Sequence, residues 1–189
     1  MIKCANMWQR AYQLITQPDK TWREIKAESP EIRRLFVGYA LPLMLIPLFC
    51  SIVRVFMSRG PYITFSFISG LLLGALANYV LSAAALLLVG WLVSVLAQYF
   101  SSRTDLSLAM KLVIYSMTPV WLAGLFNLVP RLAVLTILGL YAAFLVYVGL
   151  PIVLETPPEK HTALAASVIA LGVFILMYLS ITAGGLFYL

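Results

Sequence analysis

The side chains that could do chemistry in this 189-residue sequence are few and far apart. The single histidine, His161, follows Glu159 in a short polar stretch that also holds Glu155. One histidine with two nearby carboxylates is a weak signal for a metal or a general base, because zinc sites need clustered Cys and His ligands at regular spacings. The sequence also has no glycine-rich phosphate loop and no nucleophile elbow. We therefore expect no catalytic, cofactor-binding or metal-binding residue and no enzyme activity.

Composition indicates that lipid surrounds most of the chain. Apolar residues make up 62% of it and charged residues 11%, whereas soluble domains carry about 25% charged residues. Seven of the thirteen basic residues precede Leu35, which favours a cytoplasmic face beside anionic lipid. A nucleic-acid partner is not expected, because no basic domain folds apart from the membrane. Cys4 is predicted cytoplasmic and Cys50 intramembrane, so no disulfide is expected.

The acidic residues are all predicted in loops or in the N-terminal region. A proton relay or a cation pump usually places a carboxylate at membrane depth, so this distribution counts against both. Asn78 and Asn127 are the possible polar contacts within the membrane. Asn78 lies about a third of the way along its span and Asn127 near the outer end of another, so we do not expect them to meet.

Residues 1–34 predict short amphipathic helices on the cytoplasmic side. Trp8, Tyr12 and Ile15 share one helical face, and Pro18 separates this helix from a second one. The helices either lie in the membrane interface or pack against the cytoplasmic ends of the spans; the two arrangements are compatible. The candidate interface residues are Trp8, Tyr12, Trp22, Arg33 and Arg34. We expect no signal peptide, because the first apolar span begins only near Leu35.

Residues 35–189 predict an all-α domain of five transmembrane helices. The expected spans are 35–55, 67–99, 106–128, 132–154 and 162–184, each long enough for a bilayer core, which takes about 20 helical residues. Prolines at positions 42, 47 and 119 are expected to kink the first and third spans. The segment 65–100 fits one long helix best, with two crossings as the alternative.

The third and fourth spans predict a hairpin around which the other spans pack, with its tight turn at Asn127, Pro130 and Arg131. Lys111, near the start of this hairpin, is expected to extend its ammonium group to the interface. On the second span, Gly70 and Gly74 form a small-residue step that would let another helix approach closely.

The charge distribution predicts the orientation. Five spans place the termini on opposite sides, and a cytoplasmic N-terminus leaves ten basic residues inside and three outside. The three outside residues are Arg54, Arg59 and Arg131. We therefore predict an N-terminus inside and a C-terminus outside.

In their order and spacing, several of these residues resemble the bacterial Yip1 family of small integral membrane proteins. Tyr115 to Pro119 is similar to the family's Tyr-Pro motif, and Tyr141 to Leu150, with Tyr147 and Gly149, is similar to its aromatic-rich span. Trp8, Pro18, Trp22, Ile25, Pro42 and the stretch 157–160 extend the resemblance over nearly the whole chain. The resemblance implies five spans in a bacterial inner membrane and transfers no catalytic residue. Eukaryotic relatives bind small GTPases, but the Asp-Leu-Tyr-Gly-Pro-type motif of that branch is absent, which counts against a GTPase partner.

Three hypotheses about function follow. The first is a non-enzymatic scaffold or adaptor that associates with itself or with another membrane protein, in contact with the bilayer. The alternative is a small transporter or channel component whose proline-kinked helices line a cavity. A lipid-modifying enzyme is the third, and it would have to use Glu155, Glu159 and His161.

Overall fold

The computed structural model describes residues 6–28, 31–59 and 64–187, and these contain helices and no strand. Two short helices come first, α1 (Asn6–Thr16) and α2 (Pro18–Ala27). Five apolar helical segments long enough to cross a membrane follow: Ile32–Met57, Phe65–Tyr99, Leu106–Leu128, Val134–Val153 and Pro158–Leu179. The predicted class, an all-α membrane protein with five spans behind short amphipathic helices, is confirmed. Cys4 and the turn at Gly60 and Pro61 lie outside the described residues.

A π-helical turn interrupts the first span just before its first proline, Pro42. The span consists of α3 (Ile32–Leu35), a π-helical turn (Phe36–Ala40) and α4 (Leu41–Arg59). Pro42 has no N–H for the carbonyl four residues earlier, and its ring would clash with that carbonyl. The π turn widens the helix by one residue just before Pro42, and the N–H of Leu41 bonds to the carbonyl of Phe36.

The second span is one continuous helix, α5 (Phe65–Tyr99), so the alternative of two crossings is excluded. The hydroxyl of Thr64 caps its start by accepting from the N–H of Phe67 at 3.2 Å. At 35 residues the helix is about 52 Å long, whereas a bilayer core is about 30 Å thick. The helix is therefore long enough to cross the hydrocarbon even when it is tilted.

The third and fourth spans change helix type along their length. The third comprises α6 (Leu106–Ser116), α7 (Thr118–Ala123) and a 3₁₀ helix (Gly124–Leu128). A second 3₁₀ helix (Pro130–Leu140) leads into α8 (Tyr141–Val153), and α9 (Pro158–Phe187) follows. The predicted turn at Asn127, Pro130 and Arg131 lies at the junction of the two 3₁₀ helices.

The third span is the centre of the molecule. In its most apolar stretch 78% of the residues are buried, against 22% to 33% in the other spans. The third span, one half of the predicted hairpin, is thus the element around which the others pack, whereas the fourth span is no more buried than the second. The N-terminal helices share the same core, because Leu14, Trp22 and Ile25 belong to one buried cluster with Leu112, Tyr115 and Leu150.

Glycines allow close approach at positions other than the predicted step. A Cβ on Gly70 would meet nothing within 4 Å, so Gly70 packs against no helix among the described residues, whereas Gly74 is buried. A Cβ on Gly124 would lie 2.7 Å from Cβ of Pro47, and one on Gly149 would lie 2.6 Å from Cδ1 of Leu112 and 2.8 Å from the indole of Trp22. Gly149 thus forms a notch that receives Trp22.

Replacing Gly149 with alanine should destabilise the docking of α2. The added methyl group would overlap the Trp22 ring and the Leu112 side chain, and overpacking of this kind costs about 1–3 kcal/mol. We expect a lower melting temperature in detergent and faster trypsin cleavage at Lys20 and Arg23. The matched control is Gly70→Ala, which gains the same helix propensity in open space; equal melting of the two variants would contradict the notch.

Candidate functional site

The first candidate site is the junction where α2 meets the hairpin. Trp22 is 0% exposed and meets the ring of Tyr115 edge-on at 6.4 Å. The prediction that Trp22 lies in the membrane interface is therefore wrong, and the alternative of packing against the spans holds for it. The reason is the Gly149 notch, which gives the indole more apolar contact than the interface would.

Lys111 fixes the other end of α2. It is only 3% exposed, and its ammonium group donates to the carbonyls of Ile25 (3.2 Å) and Glu28. The last carbonyls of a helix have no partner within the helix, and a cation there is favoured by the helix dipole. The prediction that Lys111 extends to the interface is wrong, because the α2 terminus offers it a buried set of acceptors.

The outward face of the N-terminal helices remains open. Trp8 is 57% and Tyr12 69% exposed, whereas Leu14 on the opposite face of α1 is fully buried. Arg33 and Arg34 are also exposed. Arg10 on α1 forms ion pairs with Glu24 and Glu28 on the α2 side, which holds the two helices together. Contact of this face with the bilayer stays a prediction.

Charged loops close the same side of the molecule. Glu155 accepts from Lys26 at 2.6 Å and from Arg103 at 3.3 Å. The hydrogen bond and positive charge of Lys26, with Arg103 behind them, hold the pKa of Glu155 below its usual range. The N–H of Arg103 also donates to the carbonyl of Leu154 at 2.8 Å, which joins the two loops. Glu155 is thus an ionised ion-pair partner, a poor arrangement for a general acid.

Within the Tyr-Pro motif, Pro119 removes one backbone hydrogen bond, and the hydroxyl of Thr118 replaces it. Pro119 has no N–H for the carbonyl of Tyr115, and the hydroxyl of Thr118 donates to that carbonyl at 2.7 Å instead. Because the Thr118 proton is used there, its oxygen accepts from the hydroxyl of Tyr39 on the first span, at 2.8 Å. The rings of Tyr39 and Tyr115 are 4.8 Å apart. The motif therefore joins the first span to the third.

In α8, Pro151 likewise leaves a backbone carbonyl without its N–H donor, and His161 supplies a donor in its place. The carbonyl of Tyr147 loses the N–H that residue 151 would donate, and Nε2 of His161 lies 2.7 Å from that carbonyl. This contact requires the tautomer with the proton on Nε2. The imidazole also packs on the Tyr147 ring at 4.3 Å. His161 is thus engaged by the backbone, and no group of three potential metal ligands occurs among the described residues.

Tyr141 and Tyr147 take packing roles as well. The hydroxyl of Tyr141 donates to the carbonyl of Ile15 at the end of α1 (3.0 Å), and its ring packs on Phe144. Neither tyrosine lines the cavity described next, and Tyr115 does not line it either. These positions favour the packing interpretation of the tyrosines over a ligand pocket.

The second candidate site is a cavity of about 470 Å³ between the spans. Asn78 on α5 and Asn127 at the end of the third span both line it. The two residues therefore border the same space, and the expectation that they do not meet stays a prediction. All five spans contribute to the lining.

The cavity wall is apolar with a few polar groups. Ser51 and Tyr79 bond backbone carbonyls at Leu48 and Leu41. The carboxamides of Asn78 and Asn127 have no hydrogen-bond partner within the described parts of the chain, and no charged side chain is in the lining. Thr118 lies outside the lining, in the buried contact with Tyr39. A cavity of this size and composition is typical of small-molecule sites, which measure about 300–1,000 Å³.

Removing the Thr118 hydroxyl should show how much the motif's hydrogen bonds, as distinct from its packing, contribute to stability. Thr118→Val keeps the shape but leaves the Tyr115 carbonyl and the Tyr39 hydroxyl without their shared partner, at a cost of about 1–3 kcal/mol. Thr118→Ser keeps the hydroxyl and should melt closer to wild type in detergent. A melting temperature of Thr118→Val equal to or above that of Thr118→Ser would contradict this role of the hydroxyl.

Comparison with known proteins agrees with this architecture. The Yip1 domain family model matches residues 12–180. Inner membrane protein YohC of Escherichia coli strain K12 is 26% identical over 172 residues, covering 86% of this chain and 88% of YohC, and YohC of E. coli O6:H1 matches equally. No solved structure matches the chain significantly. Since the family model covers most of the sequence and five helices can span a membrane, the chain is an integral membrane protein that belongs to the Yip1 family.

Proposed function

We propose that this protein is a non-enzymatic scaffold of the bacterial inner membrane, which presents its N-terminal helices to another membrane protein. The observation that carries the proposal is the rigid mounting of an exposed aromatic face. Trp22 and Lys111 fix α2 to the most buried span, while Trp8 and Tyr12 on α1 remain open. A face held in place by the core but left uncovered is suited to contact with something outside the chain.

The location and orientation are part of the proposal. The relatives are named as inner membrane proteins, which supports the same membrane here. The excess of basic residues on the side of α1 and α2 supports a cytoplasmic N-terminus and an outside C-terminus. A groove on this side is lined by Arg23, Lys26, Arg103 and Lys111 beside two carboxylates; Lys111 is buried, and Lys26 and Arg103 pair with Glu155, so the exposed Arg23 is the residue there that suits an acidic partner segment or anionic headgroups.

Site-specific photo-cross-linking in native membranes tests the scaffold. A benzoylphenylalanine at position 12 should yield a recurrent adduct with one membrane protein, identified by mass spectrometry. The same residue at position 14, on the buried face of the same helix, should react only within the chain. An adduct between two copies at position 12 would identify self-association as the form of the scaffold. The absence of any protein adduct at position 12 would refute the proposal.

The cavity favours transport as a second candidate function. A pathway for a solute needs polar groups from several spans, and Asn78 and Ser82 on α5 and Asn127 on the third span contribute such groups to the lining. Passive movement requires no carboxylate at membrane depth, so it agrees with the position of the acidic residues in the loops and the N-terminal region.

Cysteine labelling tests whether water reaches this cavity. In a background with Cys4 and Cys50 replaced by serine, Ser82→Cys should react with a membrane-impermeant methanethiosulfonate, since thiolates react only where water is present. Ala84→Cys, on the exposed lipid-facing side of the same helix, should stay unmodified. An unreactive Ser82→Cys would remove the transport candidate.

A further inference from the structure

The cavity contains polar groups that the protein itself leaves unsatisfied. The carboxamides of Asn78 and Asn127 each offer two N–H donors and one carbonyl acceptor, and neither group has a partner in the described parts of the chain. An unbonded amide at membrane depth costs free energy that a hydrogen-bonding occupant would recover. Stability alone gives no reason for two such groups in the lining of one cavity.

The rest of the lining restricts what the occupant can be. Apolar side chains such as Met44, Leu86 and Trp121 form most of the wall, and no Asp, Glu, Lys or Arg lines it among the residues that the structure describes. A charged group placed there would lose its hydration without a counter-ion. The occupant must therefore be uncharged, with an apolar body against the wall and polar atoms near the amides.

The position of the cavity indicates where its occupant comes from. Leu176 on α9 lines the cavity and is also 37% exposed. Further large apolar side chains of α9, among them Val173 and Met177, are exposed as well. We therefore place the entry of the occupant on this side of α9, from the bilayer.

We propose that the cavity binds an uncharged lipid that carries carbonyl or hydroxyl groups on an apolar chain, with the amides of Asn78 and Asn127 as its hydrogen-bonding partners. The volume, about 470 Å³, accommodates the polar end and the first part of a chain, and the remainder extends into the bilayer past Leu176. The inference concerns binding alone. It is independent of the scaffold and stands whether or not the lipid crosses the membrane.

Photo-labelling of the purified full-length protein in nanodiscs tests the proposal. The probe is a monoacylglycerol with a diazirine in its acyl chain, and the comparison probe is an alkyl sulfate with the same chain and diazirine. We expect the neutral probe to label cavity residues such as Leu86 and Trp121 and the sulfate to label only the outer surface. Equal labelling of the cavity by both probes would overturn the proposed selectivity.

One double variant and two single variants show whether the label reports binding in the cavity. Asn78→Leu combined with Asn127→Leu removes two hydrogen-bonding partners and should lower cavity labelling about tenfold or more. Ala85→Phe fills the cavity and should abolish labelling, whereas Ala84→Phe, one residue away on the lipid-facing side, should leave it unchanged. Labelling that Ala85→Phe does not reduce would identify nonspecific surface lipid and overturn the proposal. Because Ser82→Cys reports water and the probe reports lipid, failure of transport and failure of lipid binding give separate results.

Discussion

The joining of the spans depends on how the backbone carbonyls freed by Pro119 and Pro151 find new hydrogen-bond donors. In a bilayer an unbonded carbonyl costs several kcal/mol, so a proline inside a span needs a compensating contact. Thr118 supplies the donor for Pro119, and His161 supplies it for Pro151. Each donor brings a second element with it: Tyr39 of the first span bonds Thr118, and His161 belongs to α9. The hydrogen bonds that replace those lost at proline thereby join neighbouring spans.

Close contact at glycine completes this core. Gly124 admits the ring of Pro47, and Gly149 admits the indole of Trp22, so the first span and α2 both reach the hairpin. Lys111 then terminates α2 from within the third span. The N-terminal helices are for this reason part of the packed core, with only their outer face open. The scaffold proposal rests on this combination of a fixed inner face and an open outer one.

The cavity is the region where the helices do not close on one another. The two 3₁₀ helices of the third and fourth spans border this region, with Gly124, Asn127 and Thr136 in the lining. Asn78 and Asn127 face this space. Their unpaired amides and the absence of charge in the lining give the site its chemistry, which is that of a neutral amphipathic molecule.

Composition and hydrophobic pattern by themselves determined the class, the number of spans and their approximate ends, because lipid requires about 20 apolar residues for each crossing. The order of aromatic residues and prolines was enough to indicate the family, and Thr118 directly before Pro119 was an available signal for the replacement donor. Only the tertiary structure decided that Trp22 and Lys111 are buried, that Gly149 is a notch, and that the two asparagines share a cavity. These outcomes depend on which helices become neighbours and at what depth, and single-helix periodicity carries no information about either.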